Sequence, residues 1–228
     1  MAIRGTFTSR HDGVSVGPFA ARNLAEHVGD HPDAVAANRR ALAAQLRARR
    51  AVFMRQVHGT DVAVVDDRSP GDVAEVDALV TDVTELAIAV LVADCVPLVV
   101  TGSRAAAVVH AGRRGMQHGI VSKAIAALRD LDEGPLRARL GPAICGRCYE
   151  VPAAMQDEVV TAVPQARTLT RIGTPGLDLR AGLRAQLHAA GVTAVEVSDV
   201  CTAEDASYFS YRRDGVTGRF AGAAIIDR

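Results

Sequence analysis

Two stretches, Leu86–Val92 and Ala105–Val109, are apolar at every position and lack the alternation of a half-exposed strand. A strand of this kind is stable only where both of its faces are covered, so the chain must build a sheet sandwiched between other layers. Helical patterns supply the cover. Pro32 sits at a first helical position, and Asp33–Arg49 carries Val35, Leu42 and Leu46 on one side with Arg39, Arg40 and Arg47 elsewhere. Pro152 opens a second helix running to about Val163. Leu177–Ala190 makes a third, with Gly191 as its stop, and a further helical pattern runs through Ile120, Ile125 and Leu128. Shorter strands are expected at Val52–Val57, Asp61–Val65, Ala78–Thr81, Arg139–Ile144, Ala194–Val197 and Ala223–Ile226, and the polar stretch Asp66–Asp72 reads as a loop. Hairpins and helices are mixed without strict βαβ alternation, which makes the fold α+β with helices outside the sheet layers.

With 228 residues, about half of them hydrophobic, the chain can bury a large core, and a single domain over 1–228 is the expectation. Acidic and basic residues balance at 26 each, so there is no general electrostatic footprint for nucleic acid or an anionic membrane. A small phosphate or nucleoside ligand is compatible with that balance. The longest apolar run, Leu86–Ala93, is far too short to cross a bilayer, and Met1–Arg10 lacks the apolar core of a secretory signal. A cytoplasmic protein is expected, with a monomer as the working assumption. Four cysteines in a chain of this size do not make a disulfide framework, which leaves them as thiols or metal ligands.

His58, Cys95 and His110 each close an apolar stretch that reads as a strand, and each can ligate a soft or borderline metal. If Gly102-Ser103 is a two-residue hairpin loop, Thr101 pairs with Arg104 and Cys95 falls opposite His110, roughly 5 Å away at Cβ. His58, before a Gly59-Thr60 turn, is then the third ligand of one ion. Pro97 counts against a central strand, because it cannot donate to a ladder, and suggests an edge or a bulge. Without a metal, the three residues would be two buried histidines and a small apolar thiol. Cys145 and Cys148 form a lone CxxC, half of a structural zinc site or a redox pair. No second CxxC exists, and Cys201 is the thiol able to join them in what is by default a structural role. His11, His27, His31, His118 and His188 have no ligand spacing and are expected on the surface.

The strings Gln56-Val-His-Gly-Thr60, Ala93-Asp-Cys-Val-Pro97, His110-Ala-Gly-Arg113, Gly141-Pro-Ala-Ile-Cys145, Tyr149-Glu-Val151, Phe209-Ser-Tyr-Arg-Arg-Asp214 and Thr217-Gly-Arg219 arrive in one order. Together with Ser9-Arg10, Asp12–Pro18, Asn23-Leu24, His27–Asp30 and Asn38-Arg39, they resemble the laccase-domain (YfiH-like) family over essentially the whole chain. The resemblance implies a layered α/β/β/α sandwich and a metal, usually zinc, on His58, Cys95 and His110. It also implies purine nucleoside chemistry: phosphorolysis of adenosine, inosine or methylthioadenosine, with inorganic phosphate as co-substrate, and hydrolytic deamination of adenosine. Members have also been called polyphenol oxidase and peptidoglycan editing factor. Many carry Trp where this chain has Arg113, a departure that argues against stacking there and points to an altered anion contact.

Three protein ligands leave a fourth position for water or substrate, as in catalytic zinc sites. Asp94, next to Cys95, is the candidate proton shuttle or ligand-orienting carboxylate, its alternative being a simple turn carboxylate. Phosphorolysis needs a bound anion, and Arg113 and Arg114, at a glycine-bearing loop that opens a helix, are candidates together with Arg10. Arg212, Arg213 and Asp214 either frame a pocket or form a solvated charge run. A multicopper oxidase is disfavoured by a total of seven histidines with no His-x-His pair, although a single His2Cys copper centre suits the same ligands. A non-enzymatic or peptidoglycan-precursor role is the third class.

Overall fold

A computed structural model describes residues 2–228. In chain order the elements are β1 (Ile3–Phe7), α1 (Pro32–Leu46), β2 (Arg50–Arg55), β3 (Val62–Val64), β4 (Asp72–Ala74), β5 (Ala78–Thr81), β6 (Leu86–Val92), β7 (Val96–Thr101), β8 (Ala106–Ala111), α2 (Arg113–Gln117) and α3 (Ile120–Arg129). There follow β9 (Arg137–Leu140), α4 (Ala153–Ala162), β10 (Arg167–Leu169), β11 (Pro175–Leu177), α5 (Leu179–Ala189), β12 (Ala194–Val197), α6 (Tyr211–Asp214) and β13 (Phe220–Ile226). A mixed five-stranded sheet has the order β1-β13-β6-β2-β4, a mixed six-stranded sheet the order β12-β9-β7-β8-β5-β3, and β10 and β11 form a separate hairpin.

Residue parity along β6 shows how the layers stack. Ala87, Ala89 and Leu91 face Leu42 and Leu46 of α1, whereas Leu86, Ile88, Val90 and Val92 face Val99, Ala106 and Val108 of the other sheet. Each of these large buried side chains contributes about 1.5–3 kcal/mol. The far face of the six-stranded sheet is closed by Ile125 and Leu128 of α3 and by Leu183 and Leu187 of α5. The result is helix, sheet, sheet, helix, the expected sandwich. Between the sheets Gly222 of β13 faces Pro97: a Cβ there would lie 2.9 Å from Pro97 Cβ, so glycine is what lets the layers close at this point.

The helix expectations hold to within a few residues. Pro32 opens α1, and Gly191 follows α5 at a φ of +78°. The pattern from Ile120 to Leu128 is α3, set off from α2 by Gly119 at a φ of +86°. The expected loop Asp66–Asp72 ends in β4, a parallel edge strand on β2, whose three residues are too few to show a period.

The hairpin expectation needs correcting. Thr101 pairs with Ala106 and Pro97 with His110, so the loop is Ser103-Arg104 and the register is displaced by two residues. The cause is Asp132, whose carboxylate accepts from Ser103 Oγ at 2.8 Å, Arg104 N at 2.6 Å and Ala105 N at 3.1 Å and thereby fixes the turn. An even displacement keeps every side chain on its expected face. Pro97 lies neither on an edge nor in a bulge: β7 pairs with both β8 and β9, and the Pro97 carbonyl accepts from Gly141 N just beyond the end of β9. The apolar stretch Leu86–Val92 does not extend the first arm of this hairpin. β6 belongs to the five-stranded sheet and β7 to the six-stranded sheet, and the chain crosses between them at Ala93-Asp94-Cys95.

Candidate metal centre

That crossover creates the site. His58 lies three residues beyond β2 of one sheet, Cys95 sits in the crossover, and His110 stands near the end of β8 in the other sheet. The three converge at the rim of the core between the sheets. Their donor atoms all lie within 4.8 Å of one another, with Cys95 Sγ 3.9 Å from His58 Nε2 and the two imidazole centroids 4.7 Å apart, edge to face. Two metal–ligand legs of about 2.0–2.3 Å span roughly 3.5 Å at a tetrahedral angle, so a small contraction closes the trio on one ion. Continuing the β7–β8 register places Gly112 opposite Cys95. A Cβ at Gly112 would lie 3.1 Å from Cys95 Sγ and 3.2 Å from His58 Cδ2, so this position also keeps the cluster open.

The donors are prepared by a residue that the sequence reading passed over. Asp77, fully buried immediately before β5, accepts from His110 Nδ1 at 2.7 Å and leaves Nε2 of that ring as the atom that could ligate. The same carboxylate accepts from the backbone N–H of Val57 at 3.2 Å, His58 at 3.0 Å and Gly59 at 2.7 Å. Those bonds hold His58 at a left-handed φ of +59°, which turns its ring towards Cys95. Gln56 anchors the loop's other end by exchanging amide hydrogen bonds with the Leu91 backbone. Burial opposes the Cys95 thiolate, but the charge of His110 and hydrogen bonds from both imidazoles outweigh it and bring the thiol down into the neutral range. Without a metal the thiolate pairs with a protonated His110 ring; an ion that displaces the Nε2 proton would meet a thiolate and two imidazoles, one of them oriented by a carboxylate, a donor set that fits zinc or another borderline ion.

The cluster forms one wall of a cavity of about 440 Å³, a volume in the range of small-molecule sites. Arg113, Arg212 and Arg219 line it, with Tyr149 and Tyr211 and an apolar floor that includes Leu91 and Ile144. The Arg212 guanidinium lies 5.1 Å from the Tyr149 ring centroid. Burial lowers the pKa of Arg219, although the Cys95 and Asp94 charges oppose this. Of the arginines expected to bind an anion, Arg113 is in the wall, whereas Arg10 and Arg114 are not among the lining residues. The Arg10 guanidinium sits 4.7 Å over the Phe209 ring and donates to the Ala20 carbonyl at 2.7 Å, while Arg114 points out from the exposed side of α2. His27 is exposed, as expected, and also lines the cavity, where partial burial and the charge of Arg219 lower its pKa.

Asp94 also lines the cavity, at a φ of +92°, but both of its oxygens are engaged. Oδ1 accepts from Thr202 Oγ1 at 2.7 Å and Oδ2 from Arg212 N at 2.6 Å. The carboxylate that orients His110 is Asp77, and Asp94 ties the crossover to the N-terminus of α6. Arg213 is drawn away into an ion pair with Asp214 at 2.8 Å. Asp77 has a signal in sequence, an acidic residue placed directly before the wholly apolar Ala78-Leu-Val80, but its partners lie 18 to 33 positions away.

A family model described as multi-copper polyphenol oxidoreductase laccase matches residues 4–227. The chain belongs to the laccase-domain (YfiH-like) family. Relatives of this laccase-domain protein include one from Mycobacterium tuberculosis named purine nucleoside phosphorylase, 50% identical over 231 residues, covering 99% of this chain and 92% of the relative. Another of the same name from Streptomyces coelicolor is 50% identical over 230 residues, covering 97% and 94%. Among solved structures, YlmD from Geobacillus stearothermophilus matches the laccase-domain chain with a TM-score of 0.91 at 35% identity, covering 99% of this chain and 92% of that one. A Neisseria meningitidis protein matches with a TM-score of 0.90 at 35% identity, covering 99% and 95%. No helix among the described residues is long and apolar enough to cross a membrane.

Proposed function

We propose that the protein is a zinc-dependent purine nucleoside enzyme that cleaves adenosine, inosine or methylthioadenosine with phosphate and deaminates adenosine with water. One observation carries this reading. The His58–Cys95–His110 cluster and three arginines open into the same cavity, in a chain half identical to proteins named purine nucleoside phosphorylase. Zinc held by the three side chains would act as a Lewis acid, polarising a substrate atom or an attacking water at neutral pH.

The chain's own residues divide the remaining work. Arg113, Arg212 and Arg219 hold phosphate by charge-assisted hydrogen bonds, and the cavity's low dielectric strengthens that hold. Tyr149 and Tyr211 offer aromatic faces to the purine, and the apolar floor excludes water from the ribose. In phosphorolysis a phosphate oxygen bonds to C1′ as the C1′–N9 bond breaks, and the purine leaves with the bond's electron pair and takes a proton. The products are the free base and ribose 1-phosphate, or 5-methylthioribose 1-phosphate from methylthioadenosine. In deamination, water adds at C6 of adenosine and ammonia leaves, giving inosine. Asp94 acts as a positioning residue that keeps Arg212 over the cavity.

The test is metal-analysed protein incubated with adenosine, with and without phosphate, with base release followed against inosine formation. Adenine released only with phosphate supports phosphorolysis, and inosine formed without phosphate supports deamination. Neither product, together with oxidation of a phenol by the copper-loaded protein, would overturn the proposal in favour of a copper oxidoreductase, which the same His2Cys ligands suit.

A further inference from the structure

The lone Cys145-x-x-Cys148 gains its missing half in the fold. Residues 201–204 pack against it, so that Cys145 Sγ, Cys148 Sγ, Cys201 Sγ and a Glu204 carboxylate oxygen all lie within 4.8 Å of one another. Cys148 Sγ donates to Glu204 Oε1 at 3.1 Å, and Cys145 N donates to Cys201 Sγ at 3.3 Å. The two turns are built alike. In the first, Cys148 N and Tyr149 N both donate to the Cys145 carbonyl at 2.9 Å. In the second, Glu204 N at 3.0 Å and Asp205 N at 2.9 Å both donate to the Cys201 carbonyl. Each turn therefore aims its first and fourth side chains at one point, the spacing of a zinc-binding turn, with glutamate replacing the fourth cysteine.

We propose that Cys145, Cys148, Cys201 and Glu204 form a second metal site that holds a structural zinc ion, separate from the His58–Cys95–His110 centre. Four protein donors leave no open position, which distinguishes a structural from a catalytic site. Three thiols and a carboxylate crowded together also favour a cation. Arg171 pairs with the Glu204 carboxylate and keeps it directed at the turn.

The ion would fasten the segment bearing Ile144 and Tyr149, both cavity-lining, to the segment bearing Thr202, whose hydroxyl holds Asp94. Arg212 donates to the Glu150 carbonyl at 3.2 Å and Arg213 to the Thr202 carbonyl at 2.7 Å, so α6 rests on both segments. The site is thus a staple beneath one wall of the cavity, with a positioning role and no contact with the reacting atoms.

The experiment is metal analysis of protein purified with a reductant and no chelator, for the unsubstituted chain, Cys148→Ser, Glu204→Gln and His58→Ala. Two zinc ions per unsubstituted chain are expected, with one in Cys148→Ser and one in His58→Ala. Glu204→Gln should bind its second ion at least roughly tenfold more weakly in chelator competition, and it serves if Cys148→Ser does not fold. Cobalt loaded into His58→Ala should still show strong thiolate-to-metal charge-transfer absorption. The proposal is overturned by one zinc in the unsubstituted chain with unchanged content in Cys148→Ser and Glu204→Gln, or by a Cys145–Cys201 disulfide in freshly purified protein. Because the readouts are stoichiometry and spectra, the result stands independently of whether nucleosides are turned over.

Discussion

Asp77→Asn tests how the metal centre is built. In the folded protein Oδ1 accepts from His58 N and His110 Nδ1 and Oδ2 from Val57 N and Gly59 N, all within 3.2 Å. An asparagine amide has one accepting oxygen, so either orientation turns its NH2 towards two of these donors. If the NH2 faces Val57 and Gly59, two part-buried N–H groups lose their acceptor. At about 1–3 kcal/mol for each unsatisfied group, the metal-free protein should lose roughly 3 kcal/mol, or about 6–12 °C in Tm for a chain of this size. If the NH2 faces His110, that ring accepts through Nδ1 and carries its proton on Nε2, which then cannot ligate. Either outcome weakens metal binding, by roughly 10–100-fold as expected for loss of a carboxylate that orients a ligating histidine. Chelator competition gives the affinity, and thermal unfolding of the metal-free protein gives the stability. A variant with unaltered zinc affinity and an unaltered Tm would show that the carboxylate does not organise the ligands.

Three further outcomes follow from the same geometry. Gly112→Ala puts a methyl group against Cys95 Sγ and His58 and should weaken zinc binding roughly tenfold, about 1.4 kcal/mol, in the same competition assay while the far-UV spectrum is retained. Arg212→Ala removes a charged donor from the cavity wall and should raise the KM for phosphate roughly 10–100-fold, with steady-state rates at varied phosphate as the check; an unchanged KM places the anion elsewhere. Asp132→Asn should cost about 2–4 kcal/mol at neutral pH, because the buried carboxylate accepts four hydrogen bonds at the β7–β8 turn and the neighbouring Gly134. Burial opposes ionisation of Asp132, but those donors hold its pKa well below the usual carboxylate range. Its contribution is therefore complete above the unfolded value of about 4 and is lost as pH falls below that, so unfolding midpoints of the two proteins should converge in acid.

Much of the fold was legible because burial on both faces leaves a strong trace. The unbroken apolar runs of β6 and β8 announced covered sheets, and Pro32 and Gly191 marked helix ends through backbone restrictions that act locally. The clustering of His58, Cys95 and His110, the candidate donors, was legible for a related reason: a histidine or cysteine at the end of an apolar strand stands out from its surroundings. What stayed hidden depends on pairing across the sequence. Nothing in Leu86–Thr101 says that the chain changes sheets at Asp94, because both halves are equally apolar, and the register of the next hairpin is set by Asp132, more than twenty residues away from the turn it fixes. Asp77 and Glu204 share one difficulty. Each is an ordinary acidic residue in sequence, and each gains its meaning only when remote donors or thiols are brought to it. A period-2 or period-3.6 pattern reports which face of an element is buried, but a polar residue on that face is interpretable only once the groups opposite are known. The two sites differ accordingly: the first has donors conspicuous enough to be found one by one, whereas the second rests on an acidic residue completing a cysteine turn and comes into view only when both turns are seen side by side.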